Sequence, residues 1–572
     1  MNVFDVASQT VQAALQTGQA GQPVAARVIV HLEADHGRIE RLAARILNNV
    51  SMWFEGRPER LTTFGDVETG QLSTLAVFAG GQTALISVGC CTTADPLLEL
   101  VVWGNRGIVS WEHDCGLQSN ENHLEPNLSD SEKQLFNHVQ ESVHAVGSIR
   151  IGEKHLAEPV ARKSGPVQRR HRTEISASSG SKPRAQKPPY GVLLIAGDHT
   201  HQPQYAASLD SDPRCRLIGL TDEDNVTPRR RRLNEQLAER LSIPFLPDLH
   251  QALHRDDVQI VSVCAEPIRR GRIIIQAAQA GKHLYLDKPL AATLAEADAI
   301  REAVDEAGIV SHMWSFAHSD AVARTRRELR SARLGDLKAF HADVCFAKGQ
   351  SGTAALDARR QETSVPERYE LLDSKRELSN VGVYPLVSLL CLQDKTVRRV
   401  CATTGNYFFR EHQANNMEDF GQILLELDDG TVATISAGRT GWKSCPAGGL
   451  NRTTLVGTKQ MATIDVHRPR VSVWADAEEW KAPERDPEDP MGMWGGAPKA
   501  DRFMAKPKQE WVTPPVSEMN SDAAWFLDCI ETGRLSDVSV HVAATATEIL
   551  LAGYRSAATG TVVDLPLPRG AG

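Results

Sequence analysis

Between residues 190 and 318, short apolar runs alternate with longer segments of helical periodicity. YGVLLIAGD (190–198), CRLIGLTDED (215–224), VQIVSVCAE (258–266), HLYLDKP (283–289) and IVSHMWSF (309–316) each read as a strand buried on both faces. Segments such as IRRGRIIIQAAQAG and TLAEADAIREAVDEAG lie between them at helix length. This rhythm predicts βαβ units and an α/β, doubly wound parallel sheet. After residue 318 the rhythm changes. A helix over AVARTRRELRSARLG leads into longer alternating strands: LKAFHADVCFA, GQILLELDDGTVATISAG and RTTLVGTKQMATIDV. These predict an α+β unit with a mostly antiparallel sheet covered on one face. A helix in AATATEILLAGYRSAATG and a strand in TVVDLPL close it.

Residues 152–189 lack apolar periodicity and are rich in Ser, Pro, Arg and Lys, the composition of a flexible basic linker. The chain therefore divides into 1–151, the linker 152–189, 190–318 and 319–568. The first region repeats the pattern of the last. GQTALISVG (81–89) and GTVATISAG (430–438) are identical at five of nine positions. VVWGNRGIVSW (101–111) matches TLVGTKQMATI (454–464), and LFNHVQESVHAVGSIRI echoes ILLAGYRSAATGTVVDL. Asp35-His36-Gly37 stands where Asn380-Val381-Gly382 does, with Ile39 at the Tyr384 position. Region 1–151 thus reads as a diverged copy of the C-terminal sheet unit without a parallel-sheet partner.

Composition narrows the class. The 572 residues carry a net charge of −9, which argues against a general nucleic-acid binder. No apolar run is long enough to span a membrane. The N-terminal MNVFDVASQTVQAALQTG has neither a basic n-region nor an apolar h-region. Ten cysteines are scattered without a CxxC, so reduced thiols and a cytoplasmic location are expected.

The first strand of the parallel unit delivers Gly197 into Asp198-His199-Thr200-His201-Gln202. A dinucleotide fingerprint has three glycines in such a turn, and only Gly197 is present. The second strand ends on Asp222, where an acid can accept hydrogen bonds from adenine ribose hydroxyls. Arg229–Arg232 open the next helix; they read as a solvated face or as contacts to a 2′-phosphate. The HxH of His199 and His201 has no further ligand cluster, so no metal is expected.

AGKHLYLDKPLA (280–291), NVGVYPLVSLL (380–390) and the closing EILLAGYRSAATGTVVDLPL make the pattern specific. Region 190–568 resembles the glucose–fructose oxidoreductase, inositol dehydrogenase and rhizopine-catabolism (Gfo/Idh/MocA) family. Members pair an N-terminal Rossmann domain with a C-terminal α/β sheet domain and carry a strand ending AGKHV..EKP. The chain departs from the pattern in several places. Asp287 replaces the Glu before Lys288, and Arg270 stands where His is frequent. The D-x-G-x-H motif is matched by Asn380-Val381-Gly382-Val383-Tyr384. Asn380 departs from its first position, whereas Tyr384 resembles one branch of the family.

The resemblance implies an NAD(P)-dependent oxidoreductase acting on a sugar, polyol or related hydroxyl compound. Lys288, Tyr384 and Asn380 are then the catalytic candidates. Gly197, Asp198, His199, His201, Asp222, Glu266, Asp287 and Lys288 are the cofactor-facing ones. Alcohol oxidation needs a proton acceptor, and burial lowers a lysine pKa toward that task. A neighbouring ammonium would favour the Tyr384 phenolate. Asn380 can orient a hydroxyl but cannot take its proton. Asp222 favours NAD over NADP. A regulatory pseudoenzyme and an NAD-assisted glycoside hydrolase are the alternatives, the first suggested by Asn380 and the degraded glycine loop. Relatives dimerise through open sheet faces, so a homo-oligomer or an internal pseudo-dimer with 1–151 is expected.

Overall fold

The computed structural model describes residues 3–31, 38–90, 97–113, 128–151, 188–196, 201–317, 334–358, 376–440, 449–465 and 522–569, with isolated exceptions, plus a few positions and two short strands between them. All but the last two residues of the linker expected at 152–189 and most of the helix expected at 321–335 lie outside the described residues, as do Asp35, His36 and Gly37.

The first region forms β1 (Pro23–His31), β2 (Pro58–Asp66), β3 (Gln71–Phe78), β4 (Thr83–Gly89), β5 (Leu97–Gly104), β6 (Gly107–His113) and β7 (Ile149–Arg150). They build one sheet in the order β6-β5-β1-β4-β3-β2-β7. Helices Val3–Gln16, Ile39–Trp53 and Asp130–His144 cover one face, filling a core that includes Val28, Val30, Leu42, Ile46 and Val139. The helix over 39–53 is amphipathic, with Leu42, Ala43, Ile46, Leu47 and Val50 buried at three- and four-residue spacing.

The central region forms β8 (Tyr190–Ile195), β9 (Cys215–Thr221), β10 (Phe245–Leu246), β11 (Ile260–Val263), β12 (His283–Leu286) and β13 (Ser311–Met313). All pair in parallel, in the order β10-β9-β8-β11-β12-β13. This is the doubly wound Rossmann arrangement, with its topological switch between β8 and β11. The sheet is buried on both faces, which explains the continuous apolar runs.

The third region forms β14 (Leu337–Phe346), β15 (Val397–Gly405), β16 (Phe420–Leu427), β17 (Val432–Arg439), β18 (Gly449–Gly457) and β19 (Met461–Asp465). A separate ribbon, β20 (Val471–Trp474) with β21 (Gln509–Val512), follows, and β22 (Val563–Asp564) completes the main sheet. The order is β19-β18-β14-β17-β16-β15-β22, mixed because β14 and β17 run parallel. Helices Glu377–Val381, Val383–Leu392 and Val540–Thr559 cover one face. The helix Asp522–Thr532 does not join them. It packs on the Rossmann sheet, where Phe526 and Leu527 meet Tyr190 and Tyr285.

The remaining face of the third sheet lies against the remaining face of the first. Val24, Ala25, Val101 and Trp103 pack on Cys345, Phe408 and Phe420, while Phe64, Leu75 and Leu85 pack on Cys401, Leu424 and Val432. The result is a helix–sheet–sheet–helix stack beside the Rossmann domain. Among the described residues, neither sheet leaves a broad apolar face in water.

Candidate active site

The stretch HLYLDKP runs along β12 and leaves the sheet at its carboxyl end. Leu284, Tyr285 and Leu286 are fully buried, and Asp287 and Lys288 emerge where doubly wound sheets place their ligands. The Lys288–Pro289 bond is cis. Two side-chain clusters hold this turn.

The first cluster surrounds Asp287. Its carboxylate accepts from Tyr205 Oη at 2.8 Å and from the Arg270 guanidinium at 3.0 Å, and it meets His201 Nδ1 at 2.9 Å. Burial alone would raise the Asp287 carboxyl, but His201, Arg270 and the adjacent Lys288 hold it well below the usual carboxylate range. Arg270 also donates to the carbonyls of Ala265 at 2.9 Å and Asp287 at 3.2 Å, and to that of Pro289. Departure from the family's frequent His at this position is thus a structural brace: one guanidinium ties the ends of β11 and β12 to the Lys-Pro turn. Trp314 lies 5.3 Å from the His201 ring and 5.8 Å from the Tyr384 ring, closing this side.

The second cluster comes from the sheet domain. Gly382 separates the helices over 377–381 and 383–392; a Cβ there would stand 2.5 Å from the Leu378 carbonyl oxygen. The break lets Asn380 and Tyr384 converge on the lysine. Lys288 Nζ donates to the Asn380 backbone oxygen and to Asn380 Oδ1, both at 2.6 Å, and sits 4.7 Å from the centre of the Tyr384 ring. Asn380 Nδ2 donates to Glu377 Oε2 at 2.9 Å. Glu377 in turn accepts from Arg439 Nε at 2.9 Å and faces His412 Nε2 at 3.3 Å. Burial works to raise Glu377, yet Arg439 and His412 hold it well below its ordinary value.

Tyr384 corrects one expectation. The ammonium lies over its ring face, and burial, followed by the negative Asp287, pushes the phenol well above its ordinary value. It is a neutral phenol, not a phenolate.

The nucleotide end departs further. Gly197, Asp198 and His199 lie outside the described residues. The left-handed position at the end of β8 is Ala196, with φ of 63°. Asp222 is buried, and both its oxygens are engaged. Oδ1 accepts from the Glu223 backbone at 2.9 Å and from Arg269; Oδ2 accepts from Arg269 at 3.0 Å and from Asn234 at 2.7 Å. A carboxylate offers about four acceptor sites, so this one is saturated as it stands. A ribose hydroxyl, the partner expected for Asp222, must displace one of these donors to reach it. Glu266 starts the helix over 267–279 and is paired with Arg230 and Arg269. Arg230 is therefore not part of a solvated face, and its Nε and Nη1 are buried without a partner.

Arg269, Arg270, Glu377, His412 and Arg439 were absent from the expected site. Arg270 and Glu377 each carried a sequence signal as a departure from the family pattern, Glu377 by standing where glycine is frequent. Among the described residues no group of three or more His, Cys, Asp or Glu could hold a metal ion, and no helix is long and apolar enough to cross a membrane.

Comparison with known proteins accords with this geometry. Residues 194–314 match the model of an oxidoreductase family with an NAD-binding Rossmann fold, and residues 322–463 match the Gfo/Idh/MocA C-terminal domain. The chain is similar to levoglucosan dehydrogenase of Pseudarthrobacter phenanthrenivorans, 32% identical over 95 residues, covering 16% of this chain and 24% of that protein. It is also similar to scyllo-inositol 2-dehydrogenase (NAD⁺) of Bacillus subtilis, 29% identical over 103 residues, 18% of this chain and 30% of that one. These matches span less than a third of either relative. In fold, the chain resembles GenD2 from gentamicin A biosynthesis, solved with NAD, at a TM-score of 0.50 and 20% identity over 68% of this chain and all of that one. Residues 194–314 and 322–463 thus carry the two domains of the Gfo/Idh/MocA oxidoreductase family.

Proposed function

We propose that the chain is an NAD(P)-dependent oxidoreductase that moves a hydride between the nicotinamide and a hydroxyl-bearing carbon of a sugar, cyclitol or other polyol. The observation that carries this reading is the convergence of Lys288, Asn380 and Tyr384 at the carboxyl end of β12, where the two lobes meet. The left-handed Ala196 at the end of β8, the acid at the end of β9 and the unsatisfied Arg230 nitrogens fit a dinucleotide's adenosine end. When bound, the nicotinamide supplies the hydride acceptor.

The residues of the chain handle the proton. In the oxidative direction the substrate hydroxyl loses its proton to Lys288 Nζ while its carbon loses hydride; in the reductive direction the ammonium returns the proton to the carbonyl oxygen. Asn380 places Nζ with two oxygens and carries no charge of its own. Tyr384, a neutral phenol, donates a hydrogen bond to the reacting oxygen. Asp287 keeps the turn in place and contributes negative charge behind the lysine.

Asn380, which cannot take a proton, suggests a second reading, a family member that binds ligand without turnover. Titration with NAD and with NADP, followed by nicotinamide reduction on a panel of cyclitols, aldoses and anhydrosugars, separates the two. Net reduction with any member of the panel supports the dehydrogenase. Cofactor binding without reduction across the panel supports the binding protein, and failure to bind either cofactor overturns both.

A further inference from the structure

The first and third sheets share more than strand order. Ala25 pairs with Thr83 and Trp103, and Ala339 pairs with Val432 and Val456, so both sheets can be counted from the same point. Each shows a register irregularity at the start of the central strand, at Pro23/Ala25 and Leu337/Ala339, and another at Pro58/Arg60 and Val397/Arg399. Gly21 and Gly335 have φ of 74° and 72°. A Cβ on Gly104 would stand 2.1 Å from the Ala20 oxygen, and one on Gly457 would stand 2.1 Å from the Leu334 oxygen.

On this count Glu99, opposite Ile29, is equivalent to Arg452, opposite Asp343. Thr62, opposite Leu75, is equivalent to Cys401, opposite Leu424. These equivalent positions meet each other across the interface. Cys401 Sγ lies 3.3 Å from Thr62 Oγ1, and Arg452 lies 4.0 Å from Glu99. In a pair related by a twofold, the positions that meet their own equivalents are those on the axis. A pseudo-twofold axis therefore runs across the strands between the two sheets, and region 1–151 stands where a second copy of the C-terminal sheet would stand.

The axis also carries a charge code. Arg27 bridges Glu99 at 2.9 Å and Asp343 at 2.6 Å, and Glu99 faces Arg452, so four buried charges cancel. Two copies of the third sheet would set Arg452 against Arg452, each still opposite its own Asp343, and two copies of the first would set Glu99 against Glu99, each still bridged by its own Arg27. The other bridge has no like-with-like form either, because Arg27 is replaced by His341 and Asp343 by Ile29 at the equivalent positions. The Arg27–Asp343 bridge and the Glu99–Arg452 contact therefore form across the interface in the unlike pairing alone, which favours it over either like pairing.

We propose that region 1–151 is a tethered surrogate subunit: it pairs in cis with the sheet face of residues 337–465, and the Glu99/Arg452 axis closes that face to a second copy of the chain.

Cysteine chemistry on the full chain tests this. Like pairing of the third sheets would set native Cys401 against Cys401 of another copy. Under mild oxidation, the native chain is expected to give no dimer linked through Cys401. Thr62→Cys is expected to give an intramolecular 62–401 disulfide, located by peptide mass, in a chain that stays monomeric on a non-reducing gel. A Cys401-linked dimer from either protein, or failure of residues 62 and 401 to join, overturns the proposal. Arg452→Glu, which sets three acids against Arg27, should speed maleimide labelling of Cys401 at least tenfold, and Arg452→Lys should not. Equal rates in Arg452→Glu and the native chain would refute the charge code.

Discussion

Lys288 Nζ lies 2.6 Å from Asn380 Oδ1, a contact between residues 92 apart in sequence and on different domains. In the proposed mechanism the Rossmann lobe supplies the base and the sheet lobe aims it. Replacement by methionine keeps the stem and removes the proton-carrying nitrogen. Lys288→Met is expected to retain fold and cofactor affinity while kcat falls about a hundredfold or more, the scale of a lost general acid/base. Steady-state nicotinamide reduction beside a cofactor titration measures both; undiminished turnover would remove Lys288 from the chemistry.

Tyr384→Phe should lower kcat by a smaller factor, about tenfold, since a neutral phenol contributes a hydrogen bond and not the proton sink. Because the ring is what meets Lys288 and Trp314, phenylalanine preserves the packing. A loss as large as that of Lys288→Met would reverse the two roles.

Glu377 acts at one remove. By accepting from Asn380 Nδ2 it leaves the amide oxygen to face Lys288. The charge missing at position 380 is thus present one helical turn earlier. Glu377→Gln removes negative charge near the lysine, so the ammonium becomes easier to deprotonate. The expected result is a kcat lower by about tenfold or more, a substrate KM within about threefold, and a pH–kcat profile whose limb moves to lower pH. A purely structural role would lower thermal stability and leave that limb in place.

The parts legible in sequence were those written locally. Period-two and continuous apolar runs marked the strands, and DKP at the end of HLYL marked the lysine. The resemblance between GQTALISVG and GTVATISAG survives because both strands keep the same pairing partners. The charged supports were not legible. His412 and Arg439 reach Glu377 from 35 and 62 residues away, and each alone reads as a solvated surface charge. Ala196 hid the tight turn because a left-handed backbone favours glycine and alanine gives no such signal. Asp222 looked like an open acceptor because its partner Arg269 lies 47 residues on.

Under the proposed function, that ion pair bears on cofactor choice. Arg269 masks the charge that would otherwise repel a 2′-phosphate. Arg269→Ala exposes the carboxylate, so NAD should gain on NADP by about tenfold in Kd ratio, about 1.4 kcal/mol. Paired titrations of the native and variant chains provide the ratio. A shift toward NADP would mean that Arg269 does not govern Asp222.

His31 lies in the sheet–sheet interface with both ring nitrogens buried and unpartnered, 6.4 Å between ring centres from His341. Burial lowers His31 to about 3 and lowers His341 well below its usual value. Both are neutral in the fold and titrate near 6.5 when unfolded, so below that pH the unfolded chain binds more protons. Stability is then full above about pH 6.5 and falls with acidification toward the folded-state pKa, by up to about 1.4 kcal/mol per pH unit for each histidine. His31→Leu removes one proton site and two unsatisfied nitrogens at similar volume. It is expected to raise the melting temperature at pH 5 more than at pH 8 and to flatten the slope between them. Thermal melts at the two pH values decide it: an unchanged slope would show that the acid sensitivity of the fold resides elsewhere.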